Sequence, residues 1–351
     1  MASKSFLQRK GIIISPKVYF VDAMNGMAQG LFASLLMGTI LGTVAKYLGM
    51  INGSFFAQLA AFIQSVSSAA TVATGAAIGV GVATALKSPI LVTACAAVIG
   101  NFANGYCGAG PLGVFVAVIV GCELGKLVSK ETKVDILVTP LITMISGYFI
   151  AYITCPYIAA AMKWVGNFIN EATTMHPFAM GIVVSVVVGI VLTLPISSAA
   201  ICASIGISGI AGGAALAGCC AQMIGFAASS YRENGFGGVV SQGLGTSMLQ
   251  MPNIVRYPLI WLPPTLASAV TGPIATMVFK LECVGVNAGM GTCGLVGPIG
   301  AINAMGDSLD LVGWLVLLLV CFVLPAVLSL IISEGMRKLN IIKFGQMTLE
   351  D

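Results

Sequence analysis

Apolar positions in this chain run on rather than alternate. Stretches of ~18 or more mostly apolar residues, the length at which a helix spans a bilayer, recur between Asn25 and Ser333. The first covers Asn25 to about Leu48. Phe55–Leu86 is too long for one upright helix, so its start tilts or lies along the interface. Ser88–Ala103, Pro111–Val128 and Val134–Ile158 follow; the charged loop "KLVSKETKVD" precedes the last of these, and the mildly amphipathic "AAAMKWVGNFINEATTMHP" succeeds it. Further spans fall at Phe178–Pro195, Ser198–Leu216, Ala217–Ser229, Phe236–Leu249 and Tyr257–Leu281. Within the last of them "WLPPTL" predicts a kink, because proline removes a helical hydrogen bond and clashes with the preceding turn. A Gly-rich piece, Val284–Ala304, leads to a final span, Leu311–Ser333. The pattern predicts an all-α polytopic membrane protein of about 10–12 transmembrane helices. The period-two alternation of a transmembrane barrel is missing.

The pattern also repeats. "CAAVIGNFANGYCG" (Cys95–Gly108) is echoed by "CAQMIGFAASSYRENGFGG" (Cys220–Gly238), each closing on Asn-Gly-aromatic. "GLFASLLMG" (Gly30–Gly38) is matched by "GIVVSVVVG" (Gly181–Gly189), and "DILVTPLI" by "NIVRYPLI". Between Ser67–Leu86 and Ser197–Leu216, 8 of 20 positions are identical. Collinear matches of this kind mark an internal duplication. The expected organisation is an N-terminal segment 1–21, a first membrane repeat 22–165, a connector 166–175, a second repeat 176–281, a Gly-rich re-entrant segment with the last helix over 282–336, and a tail 337–351.

Charge sets the orientation. Lys4, Arg9, Lys10 and Lys17 precede the first span, and Arg337, Lys338 and Lys343 follow the last. The positive-inside rule places both termini in the cytoplasm. With the Lys126–Lys133 loop also inside, the first repeat has five spans, so the second is inverted, the common architecture of secondary transporters. Arg232 and Lys280 then fall inside, while Lys46 falls outside against the rule. No cleavable leader is expected, since the run after the basic N-terminus is of full spanning length without a cleavage site.

Composition agrees: 58% of the 351 residues are hydrophobic and 8% charged, against roughly 25% charged in soluble domains. A net charge of +4 confined to span flanks is a membrane anchor, so no nucleic-acid partner is expected. Ten cysteines without a C-x-x-C pair, with one histidine, predict no metal site and no cofactor. The 43 glycines suit helices that approach closely in lipid. No nucleophile–base pair or phosphate-cradling loop suggests an enzyme acting alone.

Candidate site residues are uncharged and polar. Val284–Ala304 carries six glycines and one proline in 21 residues, too many for a lipid-facing helix when each glycine costs roughly 1 kcal/mol of propensity. A buried or re-entrant segment would bring Asn287, Thr292 and Asn303 inward, with Asp307 just beyond, and amides and hydroxyls suit a polyhydroxylated solute; helix-to-helix hydrogen bonding is the alternative. Asn101 and Gln222 lie inside the doubled phrase, and Asn104 in its first Asn-Gly turn. These turns are either ordinary surface hairpins or broken segments lining a wet path, where non-helical backbone is tolerated. Ser67-Ser68 and Ser197-Ser198 are expected to open equivalent helices as caps, or to present helix-start amides to a ligand oxygen. His176, the sole histidine, reads as an interfacial cap or a substrate contact. Glu123 and Lys126 read as a snorkelling pair, since an isolated charge in mid-bilayer costs at least ~2.5–3.5 kcal/mol.

On "MHPFAMGIVVSVVVGIVLTLPISSAAI", "NGYCGAGPLG" and "CGLVGPIGAI" the chain resembles the membrane subunit IIC of the bacterial sugar phosphotransferase system, more narrowly the PfoR-like group. The resemblance implies a homodimeric, multi-pass protein of the bacterial inner membrane that moves a sugar or related small polar solute by alternating access of the elevator type. In that family a histidine and a carboxylate near the broken segments contact the sugar. His176 stands nearest to that histidine, and the carboxylate has no matched counterpart. No IIA or IIB domain stands within these residues, so coupled phosphorylation would need separate IIA and IIB partners. A membrane-embedded solute sensor is the alternative function.

Overall fold

The computed structural model describes residues 6–306 and 311–349. Among them there are helices and turns but no strand, as the hydropathy pattern requires. Among the described residues, seven helices are long and apolar enough to cross a membrane, and three further apolar helices are shorter. The chain is thus a multi-pass α-helical membrane protein. It divides into two compact units, Met1–Ala161 and Met162–Asp351.

In the first unit, α1 (Val18–Leu48) contains two π-helical stretches, Val18–Asp22 and Phe32–Leu36. The long apolar run 55–86 is two helices, α2 (Ser54–Val72) and α3 (Thr74–Ala85), parted at Ala73, whose ψ of 2° leaves the helical well. Then come α4 (Ile90–Gly105), α5 (Gly110–Val128) and the 38-residue α6 (Asp135–Ala172). The amphipathic stretch expected as a separate piece is the continuation of α6, whose final turns belong to the second unit. Small residues set the packing of α1, α3 and α4. A methyl group added at Gly81 would overlap the Gly26 carbonyl, and one at Gly79 the Ala96 carbonyl. Such backbone approach is what holds helices together where lipid supplies no hydrophobic drive.

The second unit contains α7 (Pro177–Thr193), α8 (Ser198–Ser204), α9 (Gly209–Ser229), α10 (Tyr231–Val240), α11 (Met251–Arg256), α12 (Leu262–Pro273), α13 (Gly285–Ala288), α14 (Val296–Met305) and α15 (Val312–Lys338). α9 is its axis: 83% of its apolar window is buried, against 11% for α2. Apolar and small all round, it has no face for solvent, and α7, α12 and α15 pack about it.

Three expectations change. The span expected at Phe236–Leu249 is interrupted at Gly235 and Thr246 and gives short α, π and 3-10 pieces that end at Arg256. That expected at Tyr257–Leu281 is a continuous helical run from Pro258 to Val278 that passes from 3-10 through α to π turns. Glycine and the extended Thr246 divide the first of these runs into lengths that hydropathy averages cannot resolve. Pro263 and Pro264 fall not in a helix interior but in the first α turn of α12, directly after the 3-10 turn Pro258–Trp261, where a missing N–H costs least. Ser67 and Ser68 do not open a helix but lie inside α2, and Ser67 Oγ donates to the Gly38 carbonyl at 2.7 Å.

Candidate functional site

The doubled phrase lies at broken helices in both copies, by different means. Asn104 and Gly105 are still right-handed at the end of α4. The reversal expected there falls instead at Cys107 (φ 54°), Gly108 (73°) and Gly110 (60°). In the second copy the break is at Gly235 itself, whose φ of 59° and ψ of −156° interrupt α10. Such a backbone is nearly restricted to glycine.

Gln222 sits mid-way along α9 and is fully buried. Its Oε1 accepts from the Trp261 indole Nε1–H at 3.0 Å and from the Thr193 hydroxyl at 3.3 Å, and its Nε2 donates to Thr265 Oγ1 at 3.1 Å. Thr193 and Ser247 hydroxyls share a further hydrogen bond of 2.8 Å. The ends of α7 and the Ser247–Gln250 turn therefore meet the start of α12 around one amide. One amide, an indole and three hydroxyls form an uncharged polar knot within an apolar unit.

The Gly-rich segment is broken as its composition demands, with positive φ at Gly285, Gly291, Gly294 and Leu295. Polar side chains tie it down. Ser198 Oγ donates to the Gly289 carbonyl at 2.7 Å. Thr292, fully buried, donates to the Gly243 carbonyl and lies 3.6 Å from Met223 Sδ, so it adjoins the residue after Gln222. Asn287 packs against Gly300, where an added methyl group would overlap the asparagine side chain.

Among the described residues, Ser197, His176 and Asn303 take no part in the hydrogen bonds of this knot. Ser197 caps α8, accepting from the Ala200 N–H at 3.2 Å. His176 is exposed and caps α7, its Nδ1 accepting from the Phe178 N–H at 3.4 Å. Asn303 is exposed on α14. Asn101 (exposed) and Asn104 (half-buried) belong to the first unit. Asp307 lies outside the described residues. Lys126 does pair with Glu123, at 3.2 Å, but does not snorkel: it is only 2% exposed. α5 is enclosed there by its neighbours, so the ammonium is covered by protein rather than reaching water.

Sequence reading missed Thr193, Ser247, Trp261 and Thr265. The i, i+4 spacing of Trp261 and Thr265 put both on one face of a helix start, a legible signal; the approach of Thr193 and Ser247 is tertiary. Of a second set of amides, Asn234, Gln242, Gln250 and Asn253, crowded into 20 residues of an otherwise apolar chain, sequence reading singled out only Asn234, in the second Asn-Gly turn, and did not group the four.

Fold and interior together define a multi-pass membrane protein with a buried, uncharged polar centre in its second unit. The family model described as "Phosphotransferase system, EIIC" matches residues 21–349. The chain belongs to that family, the membrane transport components of the sugar phosphotransferase system. No curated protein and no solved structure matches it.

Proposed function

We propose that this chain carries a sugar or related small polar solute across the bacterial inner membrane by alternating access, without phosphorylating it. The observation that carries the reading is the Gln222 knot. An amide, an indole and hydroxyls that now satisfy one another can exchange those bonds for the hydroxyls of a sugar at little cost, and the indole offers a flat apolar face. Family membership supports the solute class. The duplication and the flanking lysines and arginines support two antiparallel repeats with both termini cytoplasmic, and the family supports a homodimer of the elevator type. Asn101, Asn104, Ser197, Ser198, Asn287, Thr292 and Asn303 are proposed contacts in other stages of the cycle, with His176 at the mouth. Separate IIA and IIB proteins are the proposed partners if phosphorylation is ever coupled, and the PfoR-like grouping is part of this proposal.

A thermal-stability screen of purified protein against sugars, sugar acids and nucleosides tests it. A ligand at 100 times its Kd stabilises by about 2.7 kcal/mol. A sugar-class hit that shifts the melting of the native chain and not of Gln222→Ala is expected. A hit unaffected by Gln222→Ala would remove the knot from the site.

A further inference from the structure

Residues 339–349 follow α15 and fold back onto the second unit. They form turns rather than a helix, and their own main-chain hydrogen bonds are short-range, such as Gln346 N–H to the Lys343 carbonyl. What holds them is the second amide set. Asn234 Nδ2 donates to the Met347 carbonyl at 2.9 Å and Gln250 Nε2 to the same oxygen at 2.8 Å. Asn253 Nδ2 donates to the Thr348 carbonyl at 2.8 Å. In return the Leu349 N–H donates to Asn234 Oδ1 at 2.8 Å, and the Gly345 N–H to Glu233 Oε1 at 2.7 Å. The amides are aligned by one another: Asn253 donates to Gln250, Gln250 to Gln242, and Gln242 to Ser230 Oγ, each at 2.9 Å.

Every one of these contacts to the segment is to its main chain, and its side-chain anchors are Met347 and Ile342, 0% and 1% exposed. Main-chain pairing combined with a pocket for a chosen side chain is how proteins receive an extended peptide. We propose that residues 341–349 are an intrachain peptide ligand, a detachable latch seated on Glu233, Asn234, Gln250 and Asn253, and that its release frees the helix break at Gly235. The segment grips Asn234, immediately before that break, through both ends of its side chain.

Two features make the latch reversible. Undocking breaks no hydrogen bond within a helix; only the Ile341 and Ile342 N–H groups reach α15, at the Met336 carbonyl of its end (2.9 and 3.4 Å). The docked state also has an electrostatic defect: Glu233, whose side chain is 0% exposed, pairs with Arg337 at 3.3 Å, yet Glu233 Oε2 and Arg337 Nε are buried and make no hydrogen bond among the described residues. Such loose ends on a buried ion pair oppose docking, and water admitted on release would satisfy both. The inference does not depend on the nature of the solute.

A fluorescent peptide of sequence IIKFGQMTLED, residues 341–351, tests it by anisotropy against the full chain and a chain ending at Asn340. The shortened chain is expected to bind it, and the full chain to bind at least about tenfold more weakly because its own segment fills the seat. The peptide with Met347→Asp should bind neither. Equal binding to both chains overturns the proposal, as does no binding to a shortened chain that keeps its helicity and cooperative melting. If the shortened chain fails to fold, hydrogen exchange on the intact protein decides. The Gly345 and Leu349 amides should exchange through one shared opening, well ahead of those in α12. Exchange of these two only with global unfolding overturns the latch.

Discussion

Gln222 shows what one residue can hold in this protein. Its amide satisfies the Trp261 indole and two threonine hydroxyls at once. Gln222→Ala should therefore cost about 1–3 kcal/mol for each buried group left unpaired, read as a lower melting temperature in detergent. Trp261→Phe, which removes one donor and keeps a six-membered aromatic ring, should cost less. The cysteines give an independent test. Nine are buried and Cys107 is exposed. Cys202 and Cys283 are fully enclosed by the second unit, out of reach of a maleimide. Maleimide should modify one thiol in the folded protein at pH 8 and ten after denaturation. Rapid labelling of Cys202 or Cys283 in the folded chain would contradict their burial. The sequence made Gln222 visible as a polar residue inside an apolar phrase. It did not reveal Thr193 or Ser247, because nothing local says that the end of one helix will meet a turn more than fifty residues later.

At the scale of the element, small residues decide which helices touch. A methyl group at Gly218 on α9 would overlap the Ser185 carbonyl, carbonyl carbon and Cα on α7, all backbone atoms that cannot swing away. Gly218→Ala should destabilise the second unit by about 1–3 kcal/mol through overpacking. Gly237→Ala, where nothing lies within 4 Å, should stay within about 0.5 kcal/mol of the parent. Equal melting temperatures for the two variants would contradict the close packing of α7 on α9. Hydropathy correctly marked the long helices α1, α5 and α6, because ~18 apolar residues leave little choice of state. It failed from Tyr231 to Arg256, where Gly235 and the extended Thr246 divide an apolar run into short pieces. "WLPPTL" shows the ambiguity most plainly. Two prolines break a helix interior and start a helix equally well, and only the position of the preceding turn distinguishes the cases.

For the whole molecule, the fold class was legible early because composition fixes the solvent, and the family because "MHPFAMGIVVSVVVGIVLTLPISSAAI", "NGYCGAGPLG" and "CGLVGPIGAI" resemble it. The orientation of the two copies rests on their flanking charges. The proposed topology, both termini cytoplasmic and the copies antiparallel, predicts that a cysteine at position 46 reacts with an impermeant maleimide from outside and one at position 232 from inside, each in a background without native thiols. Labelling of both from one face would end the inverted repeat. Function asks for a further step, since a protein that binds a sugar equally well in each state shifts no equilibrium and lets net flux follow the gradient. A carrier of this kind needs no phosphoryl donor to exchange solute across a bilayer. The most direct measurement is counterflow of a labelled ligand from the stability screen, in proteoliposomes containing this chain alone, without phosphoenolpyruvate or partner proteins. The account predicts transient accumulation of label that Gln222→Ala abolishes. Counterflow that requires added IIA and IIB proteins would contradict it in favour of obligatory phosphorylation, and tight binding with no counterflow under either condition would contradict it in favour of a sensor.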